Sequence, residues 1–106
     1  VYTVIEKHGR IHLPEWLKAA EGERCTWPGC GKRDGTVVAA HSDMLIHGKG
    51  MKRKADDLFI AFLCNDCHYA YGPGRELSRE EKRTYFFMAM SATWRRLYER
   101  GFIICN

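Results

Sequence analysis

The chain has 106 residues, a length that suits a single domain, and its 45% hydrophobic and 12% aromatic content excludes a disordered polymer. Its formal charge of +4 is a mild basic bias, compatible with a nucleic-acid partner. No apolar run approaches the roughly 20 residues that cross a bilayer, and the opening VYTVIEKHGR is too short and polar for a secretory signal, so the reading is a cytoplasmic domain without a membrane partner.

Val1–Ile5 reads as a short β segment and Lys7–Arg10 as a turn. Pro14 suits the first position of a helix, where its missing N–H costs nothing, and PEWLKAAEG continues that helix towards Gly22. Cys25–Gly35 is a Pro/Gly-rich loop. Thr36–Ala40 is β-branched and small, which predicts a strand. Ser42–Asp57 is a long polar stretch, and Leu58–Leu63 is an apolar run of strand length that ends at Cys64. The two strands are expected to pair antiparallel, with Thr36 opposite Leu63 and Ala40 opposite Phe59, around an unusually long tip.

Asn65–Tyr71 begins a short helix that Gly72-Pro73-Gly74 breaks. Ser78-Arg79-Glu80-Glu81 is a capping box opening a long helix to about Arg100, with Gly101 as its stop. Phe86, Met90, Thr93 or Trp94, and Leu97 recur at helical spacing and should face the core. Phe87, Met88, Ala92 and Tyr98 widen that apolar arc, either as further core or as a homodimer seam through the 79–100 helix. Phe102–Ile104 reads as a last β segment.

The five cysteines do not suit a secreted disulfide scaffold, which usually carries an even number. Four are spaced C-x4-C and C-x2-C, as Cys25, Cys30, Cys64 and Cys67, and Cys105 is left over. Two short-spaced pairs supply the tetrahedron of thiolates that structural Zn²⁺ favours. Gly29 and Gly31 allow the tight turns of a zinc knuckle, and Cys64 and Cys67 enter a helix whose N-terminus favours thiolate. The alternative is a set of buried cysteines without metal, or two disulfides. A knuckle, a hairpin and a C-x2-C entering a helix is the treble-clef order. The predicted fold is thus α+β, with a zinc core over about 25–72 and a packing helix over about 78–100.

A second constellation overlaps the first. Ala39-Ala40-His41, Asp56-Asp57-Leu58 and Cys64-Asn65-Asp66-Cys67-His68 resemble the HNH nucleases, in which a histidine on the first strand, an Asn or Asp before the second, and a Cys-x-x-Cys-His form a ββα-metal site. The resemblance implies His41 as general base, with Asp57 and His68 holding a catalytic Mg²⁺ or Mn²⁺. The departures are Ala40, where many HNH enzymes carry an Asp or His ligand, and the longer spacing from Asp57 to Cys64. Asp43 or His47 is a conjectural substitute for the missing ligand. Taken singly, His41 reads as a strand-end residue, His68 as a neighbour of the zinc, and Asp57 as a turn residue. His8, His12 and His47 carry no role beyond surface or loop.

From about Leu17 to Ile104 the chain is also similar to the prophage-encoded YbcO-like nuclease family, through LKAAEGERCTWPGC, VVAAHSDM, HGKGMKRKADD, LCNDCH, SREEK and LYERGFII. That resemblance implies a bacterial host cell, the HNH-like fold and a role in phage DNA recombination or processing. Lys49, Lys52, Arg53 and Lys54 form a cationic loop beside His41 and Asp57, suited to tracking a DNA backbone, although a charge run is ordinarily a solvated face. Two functions follow as expectations. One is a metal-dependent DNA endonuclease. The other is a catalytically silent treble-clef module that docks DNA or a recombination protein, and Ala40 favours it.

Overall fold

A computed structural model describes residues 10–50 and 54–104. The segment expected as strand at Val1–Ile5, together with His8, Lys52, Arg53 and Cys105, lies outside the described residues. The elements run in the order helix α1 (Pro14–Lys18), strand β1 (Val38–His41), a 3₁₀ turn (Leu45–His47), strand β2 (Ile60–Leu63), helix α2 (Asn65–Tyr71) and helix α3 (Arg79–Glu99). Among the described residues they make an α+β domain whose sheet has two antiparallel strands.

The sheet survives at this size because its second strand is enclosed. All four residues of β2 are buried, with β1 on one edge and α3 packed against it. The other edge of β2 is closed by hydroxyls. Thr93 Oγ1 accepts the Phe62 N–H at 3.0 Å and lies 3.0 Å from Thr26 Oγ1, while the Thr26 hydroxyl donates to the Phe62 carbonyl at 2.9 Å. The Thr26 N–H donates to that same carbonyl at 2.7 Å. Two threonines thus satisfy an edge that would otherwise need a third strand.

Helix α3 starts on the capping box read from the sequence. Glu81 N–H donates to Ser78 Oγ at 3.1 Å and Ser78 N–H donates to Glu81 Oε1 at 2.8 Å. Its buried face is Phe86, Ala89, Met90, Thr93 and Leu97. Trp94 is half-buried and donates Nε1–H to the Leu58 carbonyl at 2.8 Å. The expected widening of the apolar arc is not inward, since Phe87, Met88, Ala92 and Tyr98 are exposed.

Three further expectations need correction. The hairpin register is shifted by two residues, with Val38 opposite Leu63 and His41 opposite Ile60. Thr36 is drawn out of the strand by a local turn, in which its N–H and hydroxyl both donate to Asp34 Oδ1 at 3.0 and 2.6 Å. Because the shift is even, every side chain keeps its face. Helix α1 stops at Lys18, and the chain continues through tighter turns that bury Ala19 and Ala20. Phe102–Ile104 is not a strand. Gly101, at φ +84°, donates to the Tyr98 carbonyl at 3.0 Å, and Phe102 N–H donates to Leu97 at 2.9 Å. The helix cap therefore uses the N–H groups a strand would need.

The end of α3 is tied to the turn after α1 by a buried carboxylate. Glu23 accepts from Arg96 Nε at 2.8 and 3.0 Å, and from Arg100 Nη1 at 2.8 Å. Arg100 Nη1 also donates to the Ala19 carbonyl at 2.7 Å.

Candidate metal centre and an adjoining cleft

The first cysteine pair is held by its own turn. Cys25 N–H donates to the Lys32 carbonyl at 2.8 Å, and Cys30 N–H donates to Trp27 at 3.0 Å. Gly29 and Gly31, at φ +81° and +74°, let the backbone double back inside that loop. The second pair is positioned by the end of β2. Cys64 occupies the cap position of α2, its carbonyl accepting the His68 N–H at 2.9 Å, and Cys67 lies in the helix's first turn.

The Sγ atoms of Cys25, Cys30, Cys64 and Cys67 all lie within 4.8 Å of one another, and all four cysteines are free. A tetrahedral zinc with Zn–S bonds near 2.3 Å separates its sulfurs by about 3.8 Å. Cys30 Sγ and Cys64 Sγ are 3.9 Å apart, so this set can hold a metal ion such as zinc. Lys32 N–H points at Cys30 Sγ from 3.4 Å, a contact that stabilises thiolate. Burial pushes the Cys25 thiol up to about 11 and raises Cys67 also. Burial acts the same way on Cys64, but the Cys67 backbone N–H and the neighbouring thiols outweigh it and bring Cys64 down. Metal binding here would displace protons from sulfur.

At the other end of the hairpin, His41 closes β1 and meets Asp57. His41 Nε2 is 2.8 Å from Asp57 Oδ1, which also accepts from Arg10 Nη2 at 2.6 Å. Asp57 Oδ2 accepts the Leu13 N–H at 2.7 Å, and Asp56 Oδ1 accepts the Ile11 N–H at 3.0 Å. Two consecutive buried carboxylates thereby grip the segment 10–13. Asp57 is 1% exposed. Burial pushes its carboxyl up, but the His41 hydrogen bond, the Leu13 N–H and the Arg10 charge together hold it below the usual carboxylate value. The carboxylate oxygen at 2.8 Å suits a proton on Nε2, whereas Arg10 Nη2, 3.1 Å from the same nitrogen, suits a lone pair there; the Asp57 contact is the shorter, and in that tautomer Nδ1 carries the lone pair.

His41 also lines a cleft of about 430 Å³ with Asp43, His68, Tyr71, Gly72, Arg79 and Lys82. Asp43 is positioned by Tyr71, whose hydroxyl donates to Asp43 Oδ1 and accepts the Asp43 N–H, both at 2.9 Å. Lys82 Nζ donates to the carbonyls of Gly72 and Gly74 at 2.8 and 2.7 Å, fixing the wall between α2 and α3. Compared with protein-family models, curated proteins and solved structures, the chain matches none.

The residues singled out in the sequence thus divide. His41 and His68 line one cleft, while Asp57 stands behind His41 with both oxygens engaged. Ala40 is buried, 2% exposed, on the opposite face of β1 from His41. His47 is not a surface residue. It is 7% exposed, its Nδ1 is 2.6 Å from Ser42 Oγ, and its ring stacks on Phe59 at 4.2 Å. Burial lowers its pKa. His12 is exposed, 3.1 Å from Arg10 Nη1. In the basic loop, Lys49 Nζ donates to the Gly50 carbonyl at 2.7 Å and Lys54 is exposed. The sequence reading missed Arg10, Tyr71 and Arg79. Arg10 lies 47 positions from its carboxylate, a separation that no local pattern signals.

Proposed function

We propose that this chain is a metal-dependent DNA endonuclease of HNH type, a zinc-stapled treble clef akin to the YbcO-like prophage nucleases. The observation that carries the reading is the single cleft lined by His41, Asp43 and His68, with cationic side chains on its rim. Zinc on Cys25, Cys30, Cys64 and Cys67 is structural, joining the knuckle to α2. It acts in the bacterial cytoplasm, on phage or prophage DNA undergoing recombination or processing.

His41 Nδ1 accepts the proton of the attacking water. Asp57 holds the Nε2 tautomer and stabilises the imidazolium that forms, and the His41 hydrogen bond, the Leu13 N–H and the Arg10 charge together favour its ionised form. Asp57 is therefore an orienting group in this scheme, not the cation ligand expected from the HNH pattern. Asp43 and His68 are the cleft's oxygen and nitrogen donors for Mg²⁺ or Mn²⁺, with Tyr71 holding Asp43 in place. When bound, the cation neutralises charge on the phosphate.

Two observations favour a second reading, a silent module that docks DNA or a recombination protein. Ala40 offers no ligand and faces the core, and Arg10, Asp57 and His41 already form a closed cluster. Plasmid nicking with Mg²⁺ or Mn²⁺, run beside His41→Ala, separates the two. The enzyme reading expects the variant to lose about a hundredfold in rate with zinc content unchanged. Wild-type protein that cleaves no duplex, single-stranded or branched DNA with any divalent cation sinks it.

A further inference from the structure

Among the described residues, the cations that line the cleft are Arg79 and Lys82, neither of which belongs to the basic loop. Arg79 is the first residue of α3. It lines the His41 cleft and also a neighbouring depression of about 510 Å³ with Ser78, Glu80 and Arg83. One side chain therefore joins the two, and the second leads away from the candidate base along α3.

The chemistry of these cations is unlike that of the others on the helix. Arg95, Arg96 and Arg100 are paired with Glu99 or Glu23. Lys82 is committed to two carbonyls. Among the described residues, the Arg79 side chain makes no hydrogen bond or ion pair, and Arg83 Nε is buried without a hydrogen-bond partner. Arg79 also stands at the positive end of the helix dipole, where stability alone favours the carboxylates found next to it at Glu80 and Glu81. An anion in the depression would meet the exposed Arg79 guanidinium, the Arg83 side chain that lines it and the helix dipole, without contacting the buried Arg83 Nε.

We propose that Arg79 and Arg83 form a phosphate track, with Arg79 on the backbone phosphate beside the scissile bond and Arg83 on the next phosphate of that strand. The two lie four residues apart on one helix face, about 6 Å along the axis, comparable to the separation of adjacent phosphates. Guanidinium groups suit this role because their planar forks bind phosphate oxygens in pairs. The contacts carry no base information, so binding is sequence-tolerant. The proposal rests on the endonuclease reading for the position of the scissile bond.

The test is binding of a fluorescent 20-base-pair duplex by anisotropy across a salt series, without divalent cation, using full-length zinc-loaded protein. Arg79→Gln and Arg83→Gln are compared with wild type, Arg95→Gln and the conservative Arg79→Lys. Each of the first two should weaken binding by about tenfold and reduce the salt slope by about 0.9, the loss of one phosphate contact. Arg95→Gln should do neither, and Arg79→Lys should keep the salt slope. Zinc content and melting temperature should stay at wild-type values, which separates a lost contact from a lost fold. If both Gln variants bind with wild-type affinity and slope, the track is overturned while the endonuclease reading stands. If the variants lose binding but wild type nicks no DNA, the track stands and the catalytic reading falls. A wild type that does not bind DNA overturns the track.

Discussion

The cysteine cluster and the His41 cleft lie at opposite ends of one hairpin, Cys64 beyond the Val38–Leu63 pair and His41 at the Ile60 pair. They depend on the chain differently. The cysteines come as two local pairs, each shaped by its own turn, and only one long-range step brings the pairs together. The cleft collects His41 from a strand end, Asp43 from the tip, His68 from α2 and Arg79 from α3, and its orienting partners Arg10 and Asp57 come from two further segments. A site made of local pairs has few ways to fail: loss of its metal, of a ligand or of the one step that joins the pairs. A site gathered from many segments can be lost through any contact that seats one of them.

Removing the metal should therefore have the largest effect of any change. Cys64→Ser, or chelation of the wild type, should unfold the domain, because structural zinc contributes on the order of 10 kcal/mol in small zinc domains. Metal analysis and far-UV circular dichroism read both outcomes, and folded protein with no bound metal would break the contrast. Cys105→Ser should leave metal content unchanged.

The cleft end should respond less, through its buried ion pair. Asp57→Ala leaves Arg10 and His41 without their shared acceptor and should cost about 3 kcal/mol in urea unfolding. Zinc content should hold, since no cysteine turn involves Asp57. The same carboxylate sets an acid limit. Its folded pKa lies below the ordinary 3.8, so its contribution is complete above that value and is lost as pH falls through the lower folded value. Asp57→Asn should remove that part of the acid dependence.

Thr93 lies between the two ends, and its loss should cost less again. Thr93→Val leaves the Phe62 N–H without its acceptor, while the Thr26 hydroxyl keeps the Phe62 carbonyl, and should cost about 2 kcal/mol by the same unfolding measurement. If it costs nothing, the hydroxyl closure of β2 is not what secures that edge.

The smallest effect expected is a pH step from His47. Burial lowers its pKa below the ordinary 6.5, so the neutral ring is the folded form. Stability should be level above 6.5 and decline as pH falls from there through the lower folded value, where the unfolded chain takes up the proton first. A His47→Gln variant measured over the same range should lack the step.

Local chemistry settled a good deal in advance. The Ser78 capping box, the bounds of α2 and the turn at Gly101 follow from residues within a few positions of each other, and so do the two cysteine pairs. The antiparallel pairing of the strands was legible as well, but its register was not. Apolar alternation fixes which face a residue takes, and a shift of two leaves that unchanged. Phe102–Ile104 shows the same limit, because strand-like composition does not reveal that its first N–H is taken by the helix cap. The sequence grouped His41, Asp57 and His68 as one constellation, but it did not decide which of them line the cleft. Tertiary structure decided that Asp43 shares the cleft with His41 and His68, that Asp57 is bound to Arg10, and that His47 is core. Each of those outcomes depends on which buried charge finds which partner across tens of residues, and burial makes that choice only once the chain has folded.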